Sequence, residues 1–262
     1  MTSSMSTVVI VGGTTGLGLS FAKRLHSKGK KVIVTGRPNT SRLFEVSKHN
    51  SGIETYGFDV TDLSSIPSHV DKLFTTYPDI DTVWLNAGIQ NRSDLKDLSS
   101  TTDADYIHEI TANLSGPLLL TRNIVPRLLA RSKEGKQATL MLTSSGLAFV
   151  PLGGLFPVYC ATKAAVHQYT VGVRQALKGT GVNVIEIVPP YVEGTELGPG
   201  HKDLQAKMKG MDIDEYTDDT FKILDGHPAA QLKEVSAGSG IPRMQSWRDG
   251  PGKLMVEMGV SD

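Results

Sequence analysis

The segment Val8–Gly18, with the sequence VVIVGGTTGLG, decides the fold of this chain. Its first four residues are apolar and mostly β-branched, which is typical of a buried parallel strand. A glycine-rich turn follows at once, and the apolar spacing from Leu19 to Leu25 predicts a helix that ends at Gly29. A strand, a glycine turn and a helix in this order bind a pyrophosphate at the helix N-terminus. The segment therefore predicts a dinucleotide site, and the alternative is a tight turn without a ligand.

Apolar strands and helical segments alternate along the rest of the chain, with short connections. This order predicts an α/β fold: a Rossmann-type, doubly wound, mainly parallel sheet with helices on both faces, in a single domain over residues 1–262. The predicted strands are Val8–Val11, Lys31–Thr35, Glu54–Phe58, Thr82–Asn86, Ala138–Thr143 and Val182–Val188, with a weaker one near Leu232–Val235. Because ligands bind beyond the carboxyl ends of such strands, we expect the residues after each strand to meet in one crevice.

Three other segments have their own predictions. The longest helix is expected from Asp103 to Arg131, with a bend at Pro117. Residues from about 190 to 225 are expected to form a substrate loop over the crevice. The tail over residues 236–262 is rich in glycine and proline, which predicts loose order.

Composition excludes several classes of function. The chain has 27 basic and 27 acidic residues, and no basic tract points to a nucleic acid or membrane partner. No apolar run reaches the roughly 18 residues that a membrane span needs. One cysteine, Cys160, and a short polar N-terminus favour a reducing, cytoplasmic location. The chain has no C-x-x-C or H-E-x-x-H motif, so no catalytic metal is expected.

Tyr159 and Lys163 form a candidate acid–base pair. They are four residues apart in a segment that predicts a helix, so their side chains lie on one face, one turn apart. A lysine ammonium favours the phenolate, which should lower the tyrosine pKa from about 10. Such a tyrosine exchanges a proton with a substrate oxygen near neutral pH. A surface Tyr/Lys pair is the alternative, and the predicted dinucleotide site argues against it.

The end of the second strand bears on the choice of cofactor. A carboxylate at this point holds the ribose 2′-hydroxyl of NAD, but here the strand ends Val34-Thr35-Gly36-Arg37. The planar cation of Arg37 can pair bidentately with a 2′-phosphate. The sequence therefore predicts NADP(H) in preference to NAD(H). The alternative is that Arg37 is a solvated arginine at a strand end. Arg42 is either a second contact to the phosphate or a residue on a helix surface.

Together these motifs resemble the short-chain dehydrogenase/reductase family in its short, single-domain form, over nearly the whole chain. The stretches that carry the resemblance, besides those above, are Asn86-Ala87-Gly88, Asn113 in its helix, Ser144-Ser145-Gly146, and Pro189-Pro190 with Thr195. The stretches Asn86 to Gln90 and Ser144 to Pro151 are most similar to the DltE-like oxidoreductases. The chain departs from the family pattern at Val11, Leu85 and Pro190, and Ser145 is one residue further from Tyr159 than usual.

The resemblance implies hydride transfer between a nicotinamide and a carbonyl or secondary alcohol, of the carbonyl reductase type. It assigns Tyr159 as proton donor, Ser145 to the substrate oxygen, and Lys163 to the tyrosine and the nicotinamide ribose. It assigns Asn113 to a water in the proton path. The alternatives are Ser144 in place of Ser145, and for Asn113 a helix-bending role with hydrogen bonds to the backbone.

The resemblance also implies the cofactor contacts and the assembly. The cofactor residues are Gly12, Thr14, Thr15, Gly16, Leu17, Gly18, Arg37, Asp59, Val60, Asn86, Ala87, Gly88, Tyr159, Lys163, Pro189, Val192 and Thr195. For Asp59 the alternative is a helix or turn cap. A homodimer or homotetramer is expected, through the long helix and the helix that carries Tyr159.

The substrate is expected to be a small-to-medium lipophilic molecule, because the candidate pocket residues are mostly apolar. They are Leu147, Phe149, Phe156 and Tyr191, with Val158 and Trp247 as further candidates and ordinary core packing as the alternative. No arginine cluster lies near them in the sequence, so the sequence does not indicate a carboxylate or phosphate substrate. Arg243 and Arg248 are too remote in sequence to place. Two other functions stay open: an NADPH-binding regulator without turnover, and a dehydratase or epimerase that uses the same site.

Overall fold

A parallel sheet of seven strands forms the centre of the molecule in the computed structural model, which describes residues 1–38, 40–195, 197, 209–260 and 262. The strands are β1 (Thr7–Val11), β2 (Lys31–Gly36), β3 (Ile53–Gly57), β4 (Thr82–Leu85), β5 (Thr139–Thr143), β6 (Asn183–Val188) and β7 (Glu234–Ser236). Their order across the sheet is β3-β2-β1-β4-β5-β6-β7, and every neighbouring pair is parallel. The predicted strands are therefore found, within one or two residues at each end.

Helices cover both faces of this sheet. They are α1 (Gly16–Ser27), α2 (Ser41–His49), α3 (Ile66–Thr76), α4 (Asp103–Ile110), α5 (Gly116–Lys133), α6 (Pro157–Ala176), α7 (Ile213–Gly226), α8 (Gly240–Trp247) and α9 (Lys253–Glu257). Alternate residues of β1 enter opposite cores: Val8 and Ile10 pack with α1 and α7, whereas Val9 and Val11 pack with α3 and α5. Burial on both faces explains the unbroken apolar run of this strand. The predicted Rossmann-type, single-domain fold is confirmed.

The chain reverses its direction across the sheet at β1, which lies between β2 and β4. The segments that leave these strands therefore separate to opposite sides, and they open a crevice beyond the carboxyl ends of the strands. The predicted ligand crevice lies at this place.

The long predicted helix is interrupted. A π-helical turn over Thr111–Ser115 separates α4 from α5, and Pro117 lies in the first turn of α5. A proline is tolerated there because the first N–H groups of a helix have no intrahelical acceptor. The bend therefore takes the form of a π-helical turn that precedes Pro117 and contains Asn113.

The tail differs from the loose order that its composition predicts. It forms α8, a π-helical turn over Arg248–Gly252, and α9. Arg248 binds the carboxylates of Glu234 (2.5 Å) and Asp262 (3.0 Å), and Arg174 binds the same two carboxylates. These ion pairs join residues far apart in sequence, so local composition does not reveal them.

The expected substrate loop over residues 190–225 is described in part. Its second half is α7, which buries Tyr216 and Phe221 against Phe21. Residues 196 and 198–208 lie outside the described residues. Within the described residues, no helix has the length and apolar character to cross a membrane, and no three His, Cys, Asp or Glu side chains are grouped to hold a metal ion.

Candidate active site

A cavity of about 710 Å³ lies at the carboxyl ends of the strands. Of the predicted cofactor residues, the ones that line it are Gly12, Thr14, Thr15, Gly16, Leu17, Arg37, Asp59, Val60, Asn86, Ala87, Gly88, Tyr159, Lys163, Pro189, Val192 and Thr195. Gly18 lies behind the lining, and a Cβ atom there would collide with the Gly12 carbonyl oxygen. Gly18 thus allows α1 to approach the turn and has no place in the cavity wall.

The glycine turn is shaped to bring bare backbone to the cavity. Gly12 has a φ of +81°, and a Cβ atom there would lie 2.5 Å from the Ala87 Cα atom. The Asn86 side chain donates a hydrogen bond to the Gly12 carbonyl oxygen (3.1 Å). Thr15 precedes α1 without capping it through its side chain, so the N–H groups of the first turn remain for another acceptor. This cradle fits the pyrophosphate of a dinucleotide.

Arg37 follows β2 at one end of the cavity. Its side chain is exposed, and its guanidinium makes no ion pair with any residue that the structure describes. Arg42 also lines the cavity, and it has contacts of its own. From the sequence it could equally lie on a helix surface. An exposed cation beside the cavity fits a 2′-phosphate.

Asp59 acts as the turn cap that the sequence offers as an alternative, and its contact with a cofactor stays a prediction. It lines the cavity, and its carboxylate accepts hydrogen bonds from the Thr61 backbone N–H (2.9 Å) and hydroxyl (2.7 Å). It therefore caps the turn after β3 while it faces the cavity.

Ser145, Tyr159 and Lys163 meet at the centre of the cavity. The Ser145 side chain lies close enough to the Tyr159 phenol to lower its pKa, and all three side chains are buried. Tyr159 and Lys163 share one face of α6, and Lys163 Nζ lies 5.6 Å from the centre of the tyrosine ring. Lys163 Nζ also donates a hydrogen bond to the Thr143 carbonyl oxygen (2.8 Å) at the end of β5.

The pKa of Tyr159 is raised, which contradicts the expected lowering by Lys163. Burial raises this pKa well above its usual value, the Ser145 side chain lowers it, and the negative charge of Glu109 raises it. Burial lowers the pKa of Lys163 to about 8, while the Glu186 and Glu109 carboxylates raise it. The phenol and the ammonium are thus both protonated at neutral pH. The prediction failed because a spacing in the sequence does not reveal how far the pair is buried.

The two candidate serines differ in their hydrogen-bond partners. The Ser144 hydroxyl is buried and donates a hydrogen bond to Glu186, whose other carboxylate oxygen lies 2.8 Å from His167 Nδ1. Ser145 is the one that contacts Tyr159, and its oxygen also accepts a hydrogen bond from the Leu147 N–H (3.1 Å). The geometry favours Ser145 as the residue that meets a substrate oxygen.

Asn113 lies in the π-helical turn behind the cavity. Its amide oxygen accepts a hydrogen bond from the Ile89 N–H (2.8 Å), and its amide nitrogen donates one to the Ile89 carbonyl oxygen (2.8 Å). These bonds match the backbone-bonded alternative for Asn113. They hold the segment after β4 beside Lys163, since a Cβ atom at Gly88 would lie 3.2 Å from Asn113 Oδ1 and 3.4 Å from Lys163 Nζ.

Sequence reasoning missed Glu109, one helical turn before Asn113. It is buried, and its Oε1 atom has no hydrogen-bond partner among the described residues. Burial raises its pKa to about 7, against the hydrogen bonds from Asn91 and the charge of Lys163. The spacing of four residues from Asn113, on the same helix face, was the signal that could have identified it.

The predicted substrate residues divide into two groups. Leu147, Phe156 and Tyr191 line the cavity. Phe149 does not, because its ring packs against His167 at 4.5 Å, and Trp247 packs against the same imidazole at 4.5 Å. The structure thus places Phe149 outside the cavity lining, which also includes Leu152 and Arg243 from α8.

Comparisons with known proteins agree on one family. The family model described as short chain dehydrogenase matches residues 6–204. The uncharacterized oxidoreductase DltE of Bacillus subtilis is 35% identical over 250 residues, which cover 95% of this chain and 93% of that protein. An NADP-dependent 3-hydroxy acid dehydrogenase of Salmonella typhi is 31% identical over 72% of this chain and 73% of its own length.

A solved structure gives the same fold. A short-chain dehydrogenase from Sphingobium yanoikuyae, in complex with NADPH, superposes with a TM-score of 0.78 at 21% identity. The match covers 97% of this chain and 96% of that one.

Proposed function

The chain belongs to the short-chain dehydrogenase family, and we propose that it is a carbonyl reductase that transfers hydride from NADPH to a ketone or aldehyde. The observation that carries this proposal is the meeting of Ser145, Tyr159 and Lys163 in the cavity that the glycine turn lines. The same cavity then contains the proton donor, the hydroxyl that binds the substrate oxygen and the cradle for the dinucleotide, as hydride transfer to a carbonyl requires.

NADP(H) is the proposed cofactor. Arg37 lines the cavity directly after β2, where no carboxylate is present to hold a ribose 2′-hydroxyl. Its planar guanidinium suits a 2′-phosphate. The Salmonella relative is NADP-dependent by its name, which supports the same preference.

The side chains divide the chemistry between them. A bound reduced nicotinamide supplies the hydride to the carbonyl carbon. Tyr159 gives its phenolic proton to the oxygen as negative charge develops there, and the Ser145 hydroxyl hydrogen-bonds the same oxygen. The raised pKa of Tyr159 keeps the phenol protonated for this task. Lys163, still charged at neutral pH, stabilises the phenolate that remains.

The wall next to these groups is apolar. Leu147, Leu152 and Phe156 line the cavity beside Tyr159. They suit the hydrocarbon body of a small-to-medium substrate, because burial of apolar surface contributes about 25 cal/mol per Å².

We also propose a homodimer or homotetramer in the cytoplasm. Ile107 and Ile110 lie one helical turn apart on α4 and are 64% and 40% exposed, so a second copy packed on this face would cover them. Sedimentation at micromolar concentration tests the assembly, and a single monomeric species would contradict it.

The test of the reaction is Tyr159→Phe. We expect the NADPH-dependent turnover of a carbonyl panel to fall at least about 1,000-fold, because the proton donor is lost. The NADPH dissociation constant, followed by calorimetry, should stay close to that of the wild type. Tyr169→Phe is the matched control, since Tyr169 lies on the same helix and contacts the Leu118 carbonyl oxygen away from the cavity.

Three results would contradict the proposal. Retained turnover in Tyr159→Phe would show that Tyr159 is not the proton donor. Tight NADPH binding without turnover of any carbonyl by the wild type favours a regulator. A product that forms without net consumption of NADPH favours a dehydratase or an epimerase.

A further inference from the structure

Arg243 reaches the cavity from α8, although it lies far from Ser145 in the sequence. It lines the wall, and a Cβ atom at Gly146 would lie 3.2 Å from Arg243 Cδ and 3.5 Å from Nη1. The Arg243 side chain therefore lies directly over the turn that follows Ser145. Its charge is next to the residue that meets the substrate oxygen.

The fold holds α8 at both ends, so this placement is not that of a loose surface arginine. At its start, Gly240 packs against the Val188 carbonyl oxygen, which a Cβ atom would approach to 3.1 Å. At its end, Trp247 is buried against His167, and Arg248 binds Glu234 and Asp262. Arg243 lies between these two anchors.

The guanidinium of Arg243 has no partner among the residues that the structure describes. The nearby cations Arg174 and Arg248 are each paired with Glu234 and Asp262, whereas Arg243 makes no hydrogen bond or ion pair through its side chain. A half-buried cation without a partner loses hydration and gains nothing in return. Such a charge is stabilised when an anion binds beside it.

No residue that the structure describes in the cavity wall offers that cation a carboxylate nearby. Among the described lining residues, the acidic one is Asp59, which follows β3 and already caps Thr61. Arg243 lies beyond β5 and β6, across the sheet from β3. An anion on the ligand therefore completes the charge balance at this end of the cavity.

We propose that Arg243 binds a carboxylate of the substrate, so that this enzyme reduces oxo acids in preference to neutral carbonyl compounds. The proposal rests on the reductase function above and names its substrate class. A planar guanidinium matches a carboxylate with two parallel hydrogen bonds. The carbonyl group then lies at Tyr159 and Ser145, and the hydrocarbon body lies against Leu147 and Leu152. The small-to-medium lipophilic substrate expected from the sequence then also carries an acidic group.

The test compares medium-chain oxo acids, which differ in the distance between carbonyl and carboxylate, with their methyl esters. For the best acid we expect a kcat/KM about 10 to 150 times that of its ester, since hydrogen bonds to charged groups contribute about 1.5–3 kcal/mol. In Arg243→Met this ratio should fall close to one, and in Arg243→Lys it should fall less. Lys253→Met removes an exposed charge from the same tail and should keep the wild-type ratio.

A binding measurement separates this inference from the reductase function. Calorimetry of the same acids and esters, with the NADP⁺-loaded protein, should show tighter binding of the acid in the wild type and lose that difference in Arg243→Met. Equal acid and ester values, or an unchanged ratio in Arg243→Met, overturn the role of Arg243 and leave the reductase function standing. Selective acid binding without any reduction overturns the reductase function alone. A sulfonate that outcompetes the carboxylate overturns the carboxylate assignment.

Discussion

The two ends of the cavity differ in how the chain builds them, although each presents an arginine without an ion-pair partner among the described residues. The cofactor end is made by contiguous segments: Val8–Gly18 forms strand, turn and helix, and Arg37 directly follows β2. The substrate end joins the turn after Ser145, the segment after β6 and Arg243 on α8. Local sequence shapes the first end, and long-range packing shapes the second.

This difference determines whether a substitution outside the cavity can change binding inside it. At the cofactor end a changed residue alters the contact that it makes itself. At the substrate end Arg243 depends on the ion pairs of Arg248 and Asp262, so changes outside the cavity also reach it. Three variants, in order of decreasing effect, test this division.

The largest effect is expected at the cofactor end, from Arg37→Asp. Loss of the cation, with repulsion from the new carboxylate, should lower the kcat/KM ratio of NADPH to NADH on the order of 100-fold. The KM of the oxo acid should change little, because Arg37 lies away from the substrate end. Steady-state kinetics with both cofactors measure the ratio.

Lys48→Asp is the control for Arg37→Asp. It makes the same change of charge on the exposed C-terminal turn of α2, outside the cavity lining. A cofactor ratio in Arg37→Asp that stays within a few-fold of the wild type would contradict the assignment of Arg37.

An intermediate effect is expected from Asp262→Asn, which changes the support of Arg243 and no cavity residue. Burial alone would raise the pKa of Asp262, but hydrogen bonds from Arg248 and Lys233 and the charge of Arg174 hold it well below its usual value. Among the described residues, loss of this carboxylate leaves Glu234 as the one carboxylate paired with both arginines. Breaking a buried pair costs about 3–5 kcal/mol of stability. We expect part of this cost to appear as a shift of α8, which should raise the KM of the oxo acid about tenfold, or about 1.4 kcal/mol. The NADPH dissociation constant should not change.

The dependence on pH gives this variant a second readout. The folded pKa of Asp262 lies below the unfolded value of about 3.9, so its stabilisation is present above that pH and is lost as the pH falls through the folded pKa. The difference in Tm between wild type and Asp262→Asn should therefore shrink toward pH 3. Glu257→Gln, in an exposed pair of the same tail, is the control. A KM that rises equally in both variants would show a general effect of the tail.

The same division explains what the sequence could predict. The strands were predictable because unbroken apolar runs belong to a sheet that is buried on both faces. Most of the predicted cofactor residues line the cavity because each follows a strand, and parallel strands end at one edge. At this end, position along the chain nearly determines position in space.

The substrate end could not be predicted in that way. Arg243 lies near Ser145 only because Gly240, Trp247 and Arg248 fix α8, and none of these contacts is visible as a pattern. Phe149 is a pocket candidate in the sequence because it is apolar, but its ring packs against His167. Tertiary contacts between distant residues decided both outcomes.

The smallest effect is expected from Gly146→Ala, which adds one methyl group beneath Arg243. The new Cβ atom lies 3.2 Å from Arg243 Cδ, so the flexible arginine must move by a few tenths of an ångström. We expect the KM of the oxo acid to rise about threefold, because the hydrogen bonds to the carboxylate lose some of their geometry. The ester should be affected less, and NADPH binding should not change.

Gly12→Ala is the matched variant at the cofactor end. There the same methyl group meets the Ala87 backbone at 2.5 Å in a residue with a φ of +81°, so nothing can move aside cheaply. We expect Gly12→Ala to lose NADPH binding. Gly146→Ala should show only a small change that is selective for the acid, because the two ends of the cavity are formed independently. An equal loss of NADPH binding in both variants would mean that the two ends are not independent, and the separate role of Arg243 would then be untenable.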